Sequence, residues 1–108
     1  MGRSSRPRPK YLGEKLLRIR RALGLVQEDM VKRLRVTESL THSSISGFEL
    51  GTREPSLQVL LKYARLANVH LEVLADDTLD LPDTVPSPNI HSGIERSRHV
   101  GKRKVSGK

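Results

Sequence analysis

Two short amphipathic segments, separated by a polar joint and closed by a glycine, constrain this chain more than any other feature. Residues Gln27–Leu34 space their apolar side chains at helical intervals, and so do residues His42–Leu50, which Gly51 follows. Thr41 precedes the second segment and is a residue type that commonly caps a helix N-terminus. We therefore predict two helices joined by a turn, with small hydroxyl side chains on the second.

Helical periodicity extends to both sides of this pair. It predicts a first helix over Tyr11–Leu23, ended by Gly24, a fourth over Ser56–Ala67 and a short fifth over His70–Ala75. The fold class is therefore all-α, a compact five-helix domain. The apolar residues expected in its core include Leu16, Ile19, Met30, Leu34, Leu57, Leu60, Leu61, Ala64 and Leu74.

Composition divides the chain into three parts. Residues 1–10 carry four cations and no anion and are broken by proline, which predicts a disordered basic arm. Residues 11–81 form the helical domain. Residues 82–108 start with a proline-rich stretch, carry six cations against two anions and lack apolar periodicity. They are expected to be a disordered basic tail.

Several function classes fit the composition poorly. Aromatic residues make up only 3% of the chain, so recognition of single strands by base stacking is disfavoured. The chain has no cysteine, and its four histidines lack the spacing of a metal cage. No catalytic constellation or phosphate-binding loop is present, so neither an enzyme nor a cofactor is expected. The sequence contains no membrane span or signal peptide, which predicts a cytoplasmic protein.

The formal net charge of +8 is unevenly placed, with the basic residues concentrated on the first two helices and both tails. A basic face beside an acidic one orients a protein on phosphate. Together with the small hydroxyl side chains of the third helix, this pattern favours double-stranded DNA as the partner. A solvated surface with basic tails is the simpler interpretation of the charge alone.

Spaced anchors over residues 12–75 resemble the XRE-type helix-turn-helix family, the fold of lambda-like phage repressors. The residues that carry the resemblance are Leu23-Gly24-Leu25, Gln27-Glu28, Leu34, Ile45-Ser46, Glu49, Gly51, Arg53, Pro55-Ser56-Leu57 and Leu60-Leu61. The resemblance implies a five-helix bundle whose third helix enters the major groove.

The resemblance also implies a set of DNA-contacting residues: Gln27, Thr41, His42, Ser43, Ser44, Ser46, Gly47, Thr52 and Arg53. His42 and Ser43 match the positions nearest the base edges. Gln27 matches a glutamine that contacts phosphate and braces the recognition helix, and a polar first-turn residue is the plainer interpretation of it. Ser44 and Ser46 are placed to reach phosphate, and Thr52 and Arg53 to clamp the DNA backbone.

Arg20 and Glu49 match a pair that forms a structural salt bridge in many relatives. Such a pair would hold the recognition helix against the first helix. The alternative is that Arg20 faces phosphate, together with its neighbours Arg18 and Arg21.

Three positions depart from the family pattern. Arg35 stands where a glycine is usual, and the joint 35–41 is about four residues longer than the usual turn. Gly47 replaces a long base-contacting side chain, which would either let the backbone approach DNA or leave a readout position empty. Val26 replaces the usual capping residue before the second helix.

Two hypotheses for function remain. The first is a sequence-specific transcriptional regulator, which the resemblance implies would bind paired half-sites as a homodimer. The second is a protein-interaction module, such as the antitoxin partner of a toxin. In that case the long joint would be the new surface.

Overall fold

A computed structural model describes residues 8–35 and 40–96, which form five helices and one small β-ladder. The helices are α1 (Leu12–Ala22), α2 (Gln27–Leu34), α3 (His42–Leu50), α4 (Leu57–Ala67) and α5 (Glu72–Ala75). The strands are β1 (Leu79–Asp80) and β2 (Ile94–Glu95). The predicted helical class and the five helices are confirmed.

A capping side chain and a glycine mark the ends of two of the helices. Helices α2 and α3 have the predicted bounds, and Ser56 caps α4 by accepting a hydrogen bond from the Val59 amide at 3.2 Å. Gly24 lies just past α1 with a φ of 73°, in the left-handed region that glycine favours. Helix α5 is shorter than predicted, since it starts at Glu72.

The core is a single apolar cluster between the helices. It contains Leu12, Leu16, Ile19, Met30, Leu34, Leu40, Ile45, Phe48, Val59, Tyr63, Ala64, Ala67, Val69, Val73, Leu74 and Leu81. The prediction that Leu57 is buried is wrong, because its side chain is 68% exposed. Helix α4 turns Val59 and Tyr63 to the core, and at about 100° per residue Leu57 lies roughly 140° around the helix from the midpoint of those two positions.

Helix α1 crosses the end of α3 at very short range. A Cβ atom on Gly13 would lie 2.7 Å from the Glu49 carbonyl oxygen and 2.9 Å from that of Phe48. Both neighbours are backbone atoms, which cannot rotate away as a side chain can. Glycine at position 13 therefore fixes how closely the first helix supports the third.

The structure describes both ends of the joint between α2 and α3. Arg35 adopts the left-handed conformation (φ 48°, ψ 42°), which the usual glycine would adopt without strain. Leu40 is buried in the core. The middle of the longer joint, residues 36–39, lies outside the described residues.

Residues 82–96 correct the expectation of a tail without structure. The backbone amide of Ser87 donates to the Ala67 carbonyl at 2.9 Å, and that of His91 donates to the Asn68 carbonyl at 3.1 Å. Strand β2 then pairs antiparallel with β1. These hydrogen bonds attach the segment to the end of α4, where Ser87 is itself buried. The remaining parts of the expected basic arm and tail, residues 1–7 and 97–108, lie outside the described residues.

Helices α1 and α5 cap each other. The amides of Lys10 and Tyr11 donate to the Asp77 carboxylate at 2.9 and 3.2 Å, which places an anion at the start of α1. In return, Lys15 Nζ donates to the carbonyls of Val73 (2.7 Å) and Asp76 (3.1 Å) at the end of α5. Burial is the main reason that the pKa of Lys15 lies below its ordinary value.

Candidate DNA-binding surface

The first turn of α3 is fixed by a reciprocal cap. The Thr41 hydroxyl accepts from the Ser44 amide at 3.4 Å, and the Ser44 hydroxyl accepts from the Thr41 amide at 3.2 Å. The two backbone donors are satisfied inside the protein, so this end of the helix is rigid without a ligand. Thr41 is thus confirmed as the N-cap residue.

Helix α3 turns only some of its predicted contact residues outward. His42 and Ser43 are exposed, and Ser46 is half-buried. Ser44 is only 2% exposed, and its hydroxyl also accepts from Arg53 Nη1 at 3.3 Å. The structure therefore assigns the Ser44 hydroxyl to the cap and to Arg53, instead of the direct phosphate contact expected from the sequence.

The loop after α3 folds back onto Gly47. The Gly47 carbonyl accepts from the amides of Thr52 (2.9 Å) and Arg53 (3.1 Å). A Cβ atom at position 47 would lie 2.8 Å from both Cγ and Cδ of Arg53. Position 47 is therefore neither an empty readout position nor a bare stretch of backbone, because the Arg53 side chain covers it. In the sequence, the Thr-x-x-Ser spacing indicates the cap of α3. Nothing in the sequence indicates that the Arg53 side chain covers Gly47.

Glu49 joins the first three helices in one polar cluster. Its carboxylate accepts from Arg20 Nε at 2.6 Å and Nη2 at 3.1 Å, and from Gln27 Nε2 at 3.1 Å. Arg20 Nη1 also donates to the Leu25 carbonyl at 2.9 Å. The expected salt bridge is therefore formed, in the two-pronged geometry that arginine favours. Gln27 thus braces α3 from the start of α2.

The side chains of this cluster are largely buried. Arg20 and Glu49 have side chains that are 15% and 6% exposed, and the hydrogen bond to Glu49 raises the pKa of Arg20. Tyr63 packs beneath them, and burial, with the negative charge of Glu49, raises its pKa as well. The tyrosine is thus neutral and Arg20 is protonated at physiological pH.

The start of α2 has no internal cap. Val26 occupies the N-cap position in extended conformation, and no side chain of the described residues caps the turn that follows. The first amides of a helix without a cap are unsatisfied donors at the positive end of the helix dipole. An anion bound there would meet these amides together with the Gln27 side chain.

Basic side chains line two depressions in the surface of the domain. Arg8, Lys10 and Arg53 line one cleft between the start of α1 and the loop after α3. Lys32, Arg33 and Arg35 line a shallow depression at the end of α2. The sequence predicted that these segments are basic but could not show that Arg8 and Arg53 share a cleft.

Residues 8–35 and 40–96 hold neither a candidate metal site nor a membrane-spanning helix. No group of histidine and carboxylate side chains there could hold a metal ion. Within the same ranges, no helix has the length and apolar character needed to cross a bilayer.

Comparison with known proteins identifies the family. No curated protein and no solved structure matches the chain significantly. A family model described as helix-turn-helix matches residues 16–74, more than half of the chain, and covers the region from α1 to α5. The chain therefore belongs to the XRE-type, lambda-repressor-like helix-turn-helix family of DNA-binding regulators.

Proposed function

We propose that this protein is a transcriptional regulator that binds specific sequences in double-stranded DNA by inserting α3 into the major groove. The observation that carries the proposal is the first turn of α3, where His42 and Ser43 are exposed beside a rigid cap. In helix-turn-helix domains, the N-terminal residues of the recognition helix contact base edges. A serine hydroxyl both donates and accepts, and a histidine ring can also hydrogen-bond to a base.

Phosphate contacts would surround these two side chains. Gln27 has one amide hydrogen engaged by Glu49, and its second can reach a phosphate beside the uncapped amides of α2. On the far side of α3, Ser46 can donate to the opposite DNA backbone. Thr52 would do so after its hydroxyl turns away from the Gly47 carbonyl, to which it donates at 3.4 Å. These contacts would set the register of α3 in the groove without reading sequence.

The uneven distribution of charge also favours DNA as the partner. The residues around α1 and α2 carry seven cations against three anions over positions 11–36, whereas positions 37–81 carry three against seven. A basic side and an acidic side would turn the protein toward phosphate before contact. A second copy bound to an adjacent half-site, as is common for helix-turn-helix domains, would add affinity and read a longer sequence.

Selection of bound sequences from a random duplex pool at stated salt tests this function. The full-length protein is expected to enrich one motif, and Ser43→Ala is expected to relax one position in each half-site at a cost of about 1–3 kcal/mol. Gln27→Ala is expected to weaken all sequences evenly, because a phosphate contact carries no sequence information.

The fold of each variant is checked by circular dichroism, because Gln27 also braces Glu49. A folded protein that binds no duplex at low salt would refute the proposal. That result would leave protein docking as the function, with a toxin or another protein as the partner. Purification from its native host with a bound protein would then be the next observation to seek.

A further inference from the structure

Helix α3 presents unusually short side chains to the proposed DNA surface. Beyond His42 and Ser43, the helix holds the half-buried Ser46, the buried Gly47, which has no side chain, and the exposed Leu50, which has no side-chain donor. Ser44 is turned inward by the cap. The helix by itself therefore lacks a long donor at its second turn.

Arg53 supplies such a side chain from the loop. Its Cβ, Cγ and Cδ atoms occupy the space beside Gly47, at 3.1, 2.8 and 2.8 Å from where a Cβ atom would stand. Its own amide donates to the Gly47 carbonyl at 3.1 Å, so the residue is held to the helix at the backbone as well. Arg53 remains exposed to solvent along this path.

The guanidinium of Arg53 points back toward the start of α3. Its Nη1 donates to Ser44 Oγ at 3.3 Å, one turn before Gly47, which corresponds to about 4.5 Å along the helix axis. The bond to Ser44 uses one of the five N–H donors of the guanidinium. The charged group is thus carried from the C-terminal end of α3 toward the end that enters the groove.

The geometry points to Arg53 as a base-reading residue, which takes the place of a side chain at position 47 and recognises guanine. Two parallel N–H groups of arginine match the O6 and N7 acceptors of guanine in the major groove, and lysine cannot reproduce that fork. Ser44 acts as a positioning residue that fixes the direction of the guanidinium. This inference rests on the proposed DNA-binding function and replaces the backbone-clamping role expected for Arg53.

The test compares base preference in random-pool selections by the full-length protein and its variants. Arg53→Lys keeps the charge but removes the fork, and it is expected to lose the preference for one guanine per half-site by about 5- to 150-fold. The slope of log affinity against log salt should stay near that of the wild type. Arg65→Lys, at an exposed position on α4, is the matched control and should leave the motif unchanged.

Gly47→Ala provides a second, independent route. Alanine is a better helix former than glycine, so the variant should fold, but its Cβ would displace the flexible side chain of Arg53. The same guanine preference should then weaken while Arg53 is still present. Circular dichroism and thermal melting verify that α3 is intact.

Three results would overturn the inference, and they are distinguishable. If Arg53→Ala weakens all sequences evenly and Arg53→Lys keeps the motif, Arg53 contacts phosphate. If the wild type binds no duplex, the proposed function itself fails, and this inference fails with it. A motif without a guanine that responds to position 53 would also exclude guanine as its target.

Discussion

Replacing Glu49 by glutamine should destabilise the domain far more than loss of a single charge would suggest. The substitution keeps the shape of the side chain but removes the charge that faces Arg20 at 2.6 Å. It also exchanges one acceptor oxygen for an amide group, which cannot accept from Arg20 or Gln27. The positive charge of Arg20 would then lie in a largely buried place without a counter-charge.

The magnitude follows from burial. Removing one partner of a buried ion pair costs about 3–5 kcal/mol, and the retained amide oxygen places Glu49→Gln near the lower end, at about 3 kcal/mol. For a domain of this size, 1 kcal/mol corresponds to about 4–8 °C, so the melting temperature should fall by roughly 12–24 °C.

Glu14→Gln is the matched control. The Glu14 carboxylate is 54% exposed and lies 3.6 Å from Arg96 Nη2. A surface pair of this kind contributes about 0–1 kcal/mol. Urea and thermal unfolding, followed by circular dichroism, would measure both variants under the same conditions.

A double variant separates the lost attraction from the stranded charge. Adding Arg20→Met to Glu49→Gln removes that charge, and the double variant should be more stable than Glu49→Gln alone. The reasoning is refuted if Glu49→Gln and Glu14→Gln melt within about 0.5 kcal/mol of each other, a difference typical of surface substitutions.

Three further perturbations test other parts of the molecule. Arg35→Gly should stabilise the protein by about 0.5–1 kcal/mol in urea unfolding, because glycine adopts the left-handed backbone conformation of position 35 without strain. Arg33→Gly removes the same charge within α2 and should destabilise the protein by a similar amount. Destabilisation by both substitutions would contradict this reasoning. The pKa of Lys15 is lower in the folded state than in the unfolded state, so the unfolded chain binds more protons at alkaline pH. The unfolding free energy of the wild type relative to Lys15→Met should therefore rise as the pH approaches the ordinary lysine pKa of 10.5. A pH-independent difference would show that the burial of Lys15 does not affect its titration. Deleting residues 97–108, which hold five cations, should flatten the salt dependence of DNA affinity more than deleting residues 1–7, which hold two. If both deletions leave the slope equal to that of the undeleted protein, neither segment contacts phosphate.

Helical periodicity was sufficient for most of the fold. The bounds of α2 and α3 and the Thr41 cap were predictable because they depend on neighbours in the sequence. The attachment of residues 82–96 was not, since much of it consists of backbone hydrogen bonds, to the end of α4 and to the region of β1, that carry no side-chain signature. The burial of Lys15 was equally hidden, because its partners are carbonyls about sixty positions away.

The candidate surface was predictable only in part. Resemblance singled out Glu49 and Gln27, which the structure joins by a hydrogen bond, and the pair His42 and Ser43, which is exposed. It could not show that Ser44 turns inward, or that Arg53 fills the space left by Gly47. The first fact follows from the Thr41-x-x-Ser44 cap, which the spacing of these two residues indicates but the resemblance does not. The second depends on the path of the loop after α3, which spacing in the sequence does not determine.

The stacking of Arg96 on Tyr11 brings the two ends of the described chain together. The guanidinium carbon lies 3.8 Å from the centre of the tyrosine ring, and Lys10 Nζ approaches the same ring at 5.7 Å. The chain thus enters and leaves the domain at one place. A reporter protein or a tether fused to either end would therefore start from the same side of the domain, and a short linker joining residues 8 and 96 would permit circular permutation with new ends elsewhere.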